Sequence, residues 1–316
     1  MIPRGRERLG MSCPRVPIPS LARLSSRVFL DVQTEQAVES SWGVSTTNAV
    51  IFECPQTGLR FREPIRQEEI DAFYQADYHE RMAGGSEEDH RREAYLAEHR
   101  LRANGLKRFL PEGGRVLDIG CSTGVFAGAL KEAGFDVLGS DISPDACAEA
   151  ARALGEDHVF CGPVEAIADQ LEGSLDAITM MDVIEHFADV VSPLKAMHRM
   201  LRPGGILFLR TPTLRSPFYW LADLSYRLSA RRYKTAVLKI YHAEHFFFFT
   251  EDSMRILLLD TGFEPLSIDA DPLLWKNFRT AEMREGPLAN AILGATWFLG
   301  RLCGRGHGMK VAARRK

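Results

Sequence analysis

The 316-residue sequence predicts an α/β fold, a seven-strand, mostly parallel sheet with helices on both faces, a small N-terminal β appendage and a helical insertion. Three observations carry this. Short apolar runs alternate with helix-length segments between Arg115 and Thr211. Sharp start and stop signals such as Ser143-Pro144 and RPGG (202–205) separate them. The first run, VLDIGCSTG (116–124), breaks into glycines and small residues where a strand turns at once into a helix.

The first thirty residues are rich in Arg, Pro and Ser and carry one acid, Glu7. They read as a disordered leader, or as an organelle transit peptide, with Met11 as an alternative start. NAVIFECPQTGLRFREP (48–64) alternates like a hairpin with T-G as its turn signal. SEEDHRREAYLAEHRLRANGLKRFL follows as a helix, with Ser86 as its cap and Pro111 and two glycines as its end. RVLDI, DVLGS, HVFC, LDAITMM and GILFLRT are then five strands, with helices running to Gly134, from Ser143-Pro144 and to Leu201. After an irregular stretch of aromatics and bases, TEDSMRILLLDTG is a helix capped by Thr250, FEPLSID a strand, GPLANAILGATWFLGRLCGRG an apolar helix and MKVAA a last strand.

Bulk properties narrow the classes. A net charge of -3 exerts no general pull toward nucleic acid. Cys13, Cys54, Cys121, Cys147, Cys161 and Cys303 lie far apart without a C-x-x-C pair, so neither a disulfide framework nor a zinc knuckle is spelled, and a reducing cytoplasm is expected. No apolar stretch reaches the roughly 18 residues of a spanning helix.

A strand that ends in D-x-G and opens a helix presents backbone amides to a ligand, and small residues allow close approach. A dinucleotide fingerprint needs G-x-G-x-x-G, whereas this loop has Gly120, Ser122 and Gly124 with Asp118 just ahead. An acid there repels a pyrophosphate and suits a ligand bearing an ammonium and a sulfonium. Asp141, at the tip of the second strand and roughly 20 residues beyond Gly120, is placed to accept ribose hydroxyls. Either acid alone can also cap a helix or solvate a turn.

On these residues the chain resembles the class I S-adenosylmethionine-dependent methyltransferases, which have a Rossmann-like fold. VLDIGCSTG is similar to their first motif, with Ser122 where a glycine is more usual. GSDIS is similar to the second, LDAITMMDVIEHFAD to that of the fourth strand, and LRPGGILFLRTPT to the stretch through the fifth. AEHFFFFTEDSMRILLLDTGFEP resembles a bacterial branch related to ubiquinone-biosynthesis O-methyltransferases and to C-methyltransferases of sugar and natural-product pathways. ECPQTGLRFREP with FYQADY resembles an N-terminal module that carries a zinc ribbon in some such enzymes; only Cys54 is kept here, so no metal is expected.

Composition and alternation thus place a leader over 1–45 and a β appendage over 46–84, and the resemblance implies a methyltransferase domain over 85–316 with a lid insertion at 213–247. It implies S-adenosylmethionine as cofactor, with Asp118, Gly120, Ser122 and Gly124 around its methionine part and Asp141 on the ribose. Ile142 would lie against the adenine face, Val164 and Glu165 at the adenine edge, and Met181 and Asp182 at the far side of the ligand.

Methyl transfer from a sulfonium leans on alignment, and a base is needed only when the acceptor must lose a proton. His245 and His186, each preceded by a glutamate, are the candidates, with His245 favoured. The acceptor expected is a small molecule or lipid-like intermediate, methylated on oxygen in preference to carbon. Aromatics and bases over 213–240 leave a membrane surface or a carrier protein as a further partner, against the plain reading of a solvated helix face. Phe246 to Phe249 read as core, whereas Phe218, Tyr219, Trp220 and Tyr226 read as lid. MMDVIEH lacks the N/D-P-P-Y element that holds a flipped base, which disfavours a nucleic-acid acceptor. The rivals are a binding protein that keeps the pocket without transfer and an NAD-dependent oxidoreductase.

Overall fold

The computed structural model describes residues 27–32, 49–63, 89–229, 240–241, 245–271 and 287–316. The elements in chain order are β1 Arg27–Val32, β2 Ala49–Glu53, β3 Arg60–Glu63, α1 Asp89–Leu106, β4 Arg115–Ile119, α2 Val125–Glu132, β5 Asp136–Asp141, α3 Pro144–Leu154, β6 Val159–Cys161, β7 Leu175–Met181, α4 Val191–Met200, β8 Leu201–Pro212, α5 Pro217–Leu228, β9 Phe247–Phe248, α6 Glu251–Asp260, β10 Phe263–Asp271, α7 Pro287–Leu302 and β11 Gly308–Arg315.

The main sheet has seven strands in the order β10-β11-β8-β7-β4-β5-β6. Pairing is parallel from β6 to β8 and antiparallel on both sides of β11, so β11 alone is reversed. The strands read as continuous apolar runs because both faces are covered. Val116, Val137, Ala177 and Ile206 pack with α1, α2 and α3, while their neighbours Leu117, Leu138, Ile178 and Leu207 pack with α4 and α6. One-residue alternation thus feeds two cores from each strand.

Local signals act as expected where the side chain has one job. Ser143 accepts from Ala146 N at the start of α3, behind Pro144 at its first position. Thr250 and Ser253 form a reciprocal capping box on α6. RPGG, expected as a stop, is instead enclosed by β8: the register jumps from Leu175↔Leu201 to Ala177↔Ile206, and the four residues bulge out. The helix start expected at Ser86 lies outside the described residues.

The N-terminal hairpin is present, with the Gly58 amide donating to Cys54 O across its turn. It does not stand apart. β1, within the stretch expected as leader, adds to β2, and β3 pairs with β9, so a four-stranded antiparallel sheet runs β1-β2-β3-β9 into the heart of the chain. Cys54, Leu59 and Phe61 join the larger core, as do Phe246, Phe247 and Phe249. The phenylalanine run is therefore core, as read from sequence. The lid aromatics differ from expectation: Tyr219 and Tyr226 are buried in a third cluster with Ile51, Tyr241 and Phe248, Phe218 is buried too, and only Trp220 of the four is exposed. Amphipathic α5 spends its aromatics on seating itself against the hairpin.

An ion cluster fastens the same joint. Arg60 of β3 donates through Nε to Glu53 at 2.8 Å and through Nη1 to Asp223 of α5 at 2.8 Å, and also meets the hydroxyl of Tyr241. All three charged side chains are nearly buried. Removing one member of such a cluster strands the others. Arg60→Ala is expected to destabilise the fold by about 3 to 5 kcal/mol, read from urea denaturation; a loss under about 1 kcal/mol would show that water replaces the guanidinium.

Candidate active site

Strand order reverses between β4 and β7, the point where crossover helices leave for opposite faces and a crevice opens beyond the strand ends. The loop after β4 enters this crevice. Gly120 has φ +69°, and a Cβ there would fall 2.4 Å from Val183 Cγ2. Ser122 also adopts positive φ, at 49°, and Gly124, at 83°, caps α2. Two amides, of Gly120 and Cys121, donate to Ser140 O and pin the loop to β5.

Asp141 at the tip of β5 is half-buried and takes one amide on each oxygen, Ser122 N at 2.8 Å and Ser143 N at 2.9 Å. A carboxylate has about four acceptor directions, so each oxygen keeps one. Ile142 beside it is 48% exposed, a large apolar side chain at the rim of the crevice. Asp118 lies beneath the loop, buried, with Thr179 Oγ1 donating to its Oδ1 at 2.7 Å. Burial, aided by the nearby Asp141, pushes its carboxyl up to about 7 in spite of the Thr179 hydrogen bond. Val164 is buried in the main core, and only its backbone can meet a ligand; Glu165 is exposed.

On the other side of the reversal Met181 is half-buried and Asp182, with φ 58°, is held by the guanidinium of Arg210. Arg210 also donates through Nε to Asp271 at 3.2 Å, and Asp271 lies 3.4 Å from Arg102 of α1, which pairs with Glu98. This chain of charges ties α1, β7, β8 and β10 together beneath the crevice. Sequence reading missed it, although an arginine inside the apolar run GILFLRT is a signal in itself, because a buried guanidinium demands a partner.

His186 and His245 come together. Their rings are 4.7 Å apart, edge to face, and both residues are half-buried. His186 ends the short 3-10 turn Ile184–His186 after β7, and His245 lies two residues before the strand that pairs with the hairpin. Phe246 N donates to Glu185 O at 2.8 Å, joining the two segments. Glu185 itself is 1% exposed; its Oε2 accepts from Thr211 Oγ1 at 2.9 Å, and burial pushes its carboxyl up to about 8. Glu244 and His242 lie outside the described residues.

Residues 89–268, more than half of the chain, match the family of methyltransferase domains. The chain belongs to this methyltransferase family. It is of class I, with the Rossmann-like sheet described above, and S-adenosylmethionine is the family's cofactor. The chain is 34% identical over 114 residues to a ubiquinone biosynthesis O-methyltransferase of Methylococcus capsulatus, spanning 35% of this chain and 48% of that one. It is 35% identical over 120 residues to a protein of the same name from Acinetobacter baumannii, spanning 35% and 46%. The matched stretch of the chain thus spans about half the length of these relatives. Among solved structures it is similar to a SAM-dependent methyltransferase from Archaeoglobus fulgidus, at 18% identity and TM-score 0.48 over 69% of this chain and 94% of that one. It is also similar to a possible histamine N-methyltransferase from Thermotoga maritima, at 22% and 0.47 over 72% and 95%. Likenesses at this level decide nothing about the acceptor.

The buried Asp118 makes stability depend on pH. Its carboxyl holds a proton longer in the folded chain than in the unfolded one, where it titrates near 3.8, so the stabilisation is full below that value and is lost as pH rises through about 7. Asp118→Asn stays neutral and keeps an acceptor for Thr179. Its urea midpoint relative to wild type should rise between about pH 4 and about pH 7 and level off above; a constant difference would show that Asp118 carries no buried proton.

Proposed function

We propose that the chain transfers the methyl group of S-adenosylmethionine to a hydroxyl oxygen of a small-molecule or lipid-like acceptor. The observation that carries the reading is the pairing, across one strand reversal, of an acid-bounded glycine loop with two imidazoles. On this reading Gly120, Ser122 and Gly124 take the methionine part of the cofactor, since the loop has no room for a Cβ at Gly120. Asp141 accepts the ribose hydroxyls on its remaining lone pairs, and Ile142 covers the adenine face with the backbone around Val164 and Glu165 at its edge. Asp118 acts from below: its carboxyl loses its proton when the ammonium of the cofactor arrives, and the ion pair forms in a site of low dielectric. Met181 and Asp182 bound the far side, where Arg210 fixes the carboxylate of Asp182.

His186 and His245 stand at the acceptor end, with His245 as the group that handles the hydroxyl proton. The names of the curated relatives favour oxygen over carbon as the methylated atom. An apolar acceptor, membrane-borne or carrier-held, would approach over α5, where Trp220 and Leu228 are exposed beside Arg227. Among the described residues no helix is long and apolar enough to cross a membrane.

Calorimetric titration with S-adenosylmethionine tests the cofactor half, and NAD serves as the control. Asp141→Ala should weaken binding by about 1.5 to 3 kcal/mol through loss of charge-assisted hydrogen bonds; unchanged affinity would remove Asp141 from the site. Transfer of labelled methyl groups to a quinol-precursor and lipid extract tests the other half. His245→Ala should bind the cofactor normally and transfer about 10²-fold more slowly or worse; full activity would leave alignment alone as the source of rate.

A further inference from the structure

The acceptor end contains more than two imidazoles. Glu185, His186 and His245 each offer one ligand atom, and the three atoms lie within 4.8 Å of one another. A cation bound at ordinary lengths would set three such atoms roughly 3 to 3.5 Å apart, so side-chain rotations of about an ångström close the set. The second observation is the state of Glu185. Its Oε1 is buried and accepts no hydrogen bond among the described residues, while Oε2 is held by Thr211. A buried carboxylate oxygen without a donor is costly, and a metal ion is one of the few groups that relieve it. Arg210, the guanidinium on the adjacent strand, is already engaged by Asp182 and Asp271.

The scaffold suits a preformed site. The Phe246 amide staples the chain beside His245 to Glu185 O, and β9 is anchored by β3, so the two ligand-bearing segments are fixed relative to one another. Thr211 orients the carboxylate from behind, as outer-shell groups do around bound metals. Two imidazoles with one carboxylate favour first-row transition cations over magnesium or calcium, and three protein ligands leave positions open.

We propose that Glu185, His186 and His245 bind a divalent first-row transition cation whose open positions receive the acceptor hydroxyl. The existence of the site is independent of the methyl-transfer reading; its role rests on that reading. Coordination lowers the pKa of the hydroxyl, and its proton leaves to water. The oxygen then forms its bond to the methyl carbon as the carbon–sulfur bond breaks, and the electron pair stays on sulfur as a neutral thioether. The imidazoles serve as ligands, and the bound cation takes over the proton-releasing role.

The test uses tag-free full-length protein stripped with a chelator, titrated with Mn²⁺, Co²⁺ and Zn²⁺ and, separately, with S-adenosylmethionine. One equivalent of cation should bind, and the ligand-field absorption of the Co²⁺ form should shift when catechol is added. His186→Ala and His245→Ala should each weaken cation binding by about tenfold or more, with the cofactor affinity and the circular dichroism spectrum unchanged. Glu185→Gln should do the same if it folds; the two histidine variants decide the matter if it does not. Absence of stoichiometric binding by the wild type, or unaltered affinity in both histidine variants, overturns the proposal. Cation binding without cofactor binding would sink the methyl-transfer reading and leave the metal site standing, and the reverse result would sink the metal site alone.

Discussion

The structure turns on the reversal of strand order between β4 and β7. Right-handed crossovers force the helices after these strands to opposite faces, so the loops beyond their ends diverge. The glycine loop after β4, Asp141 on the strand beside it, and Asp182 to His186 following β7 all border that divergence. The backbone at both edges adopts conformations that L-residues seldom take, at Ser122 and Asp182. Each is held by anchors in the strands behind it: Ser122 N on Asp141, and Asp182 by its amide on Arg210 O and its carboxylate on the Arg210 guanidinium.

A second constraint comes from outside the sheet. Strand β9 is only two residues long, Phe247–Phe248, and would have little reason to be a strand without β3 beside it. Its partner arrives from the N-terminal hairpin, which in turn is locked to α5 by Arg60 and by the cluster around Tyr219 and Tyr241. Hairpin, lid helix and the chain around His245 thus form one mechanical unit. A change in the hairpin that leaves the main sheet intact would therefore reach the segment around His245 and Glu185.

What could be read from sequence follows from how local each signal is. The loop at Gly120 to Gly124, the Ser143-Pro144 start and the Thr250 cap are decided by residues within a few positions of one another, and they fold as spelled. RPGG is equally local and still misleads, because pairing of β8 with β7 continues on both sides and the four residues are expelled as a bulge. The destination of the lid aromatics was hidden for a different reason. A helix stripe of Tyr219 and Tyr226 is equally compatible with a ligand and with a core, and the hairpin, more than 150 residues away, decides for core. The Arg210 chain was hidden likewise, since Glu98, Arg102 and Asp271 reach it from opposite ends of the domain.

The placement of charge gives the last step. On the β4–β5 side the two acids have no guanidinium partner among the described contacts: Asp118 is met by a hydroxyl and Asp141 by two amides. On the β7 side the half-buried acid, Asp182, is already paired with Arg210. A cation entering the crevice meets Asp141 without a guanidinium partner on one side of the reversal and an already paired Asp182 on the other. Asymmetry of this kind would orient a cationic ligand before closer contacts form.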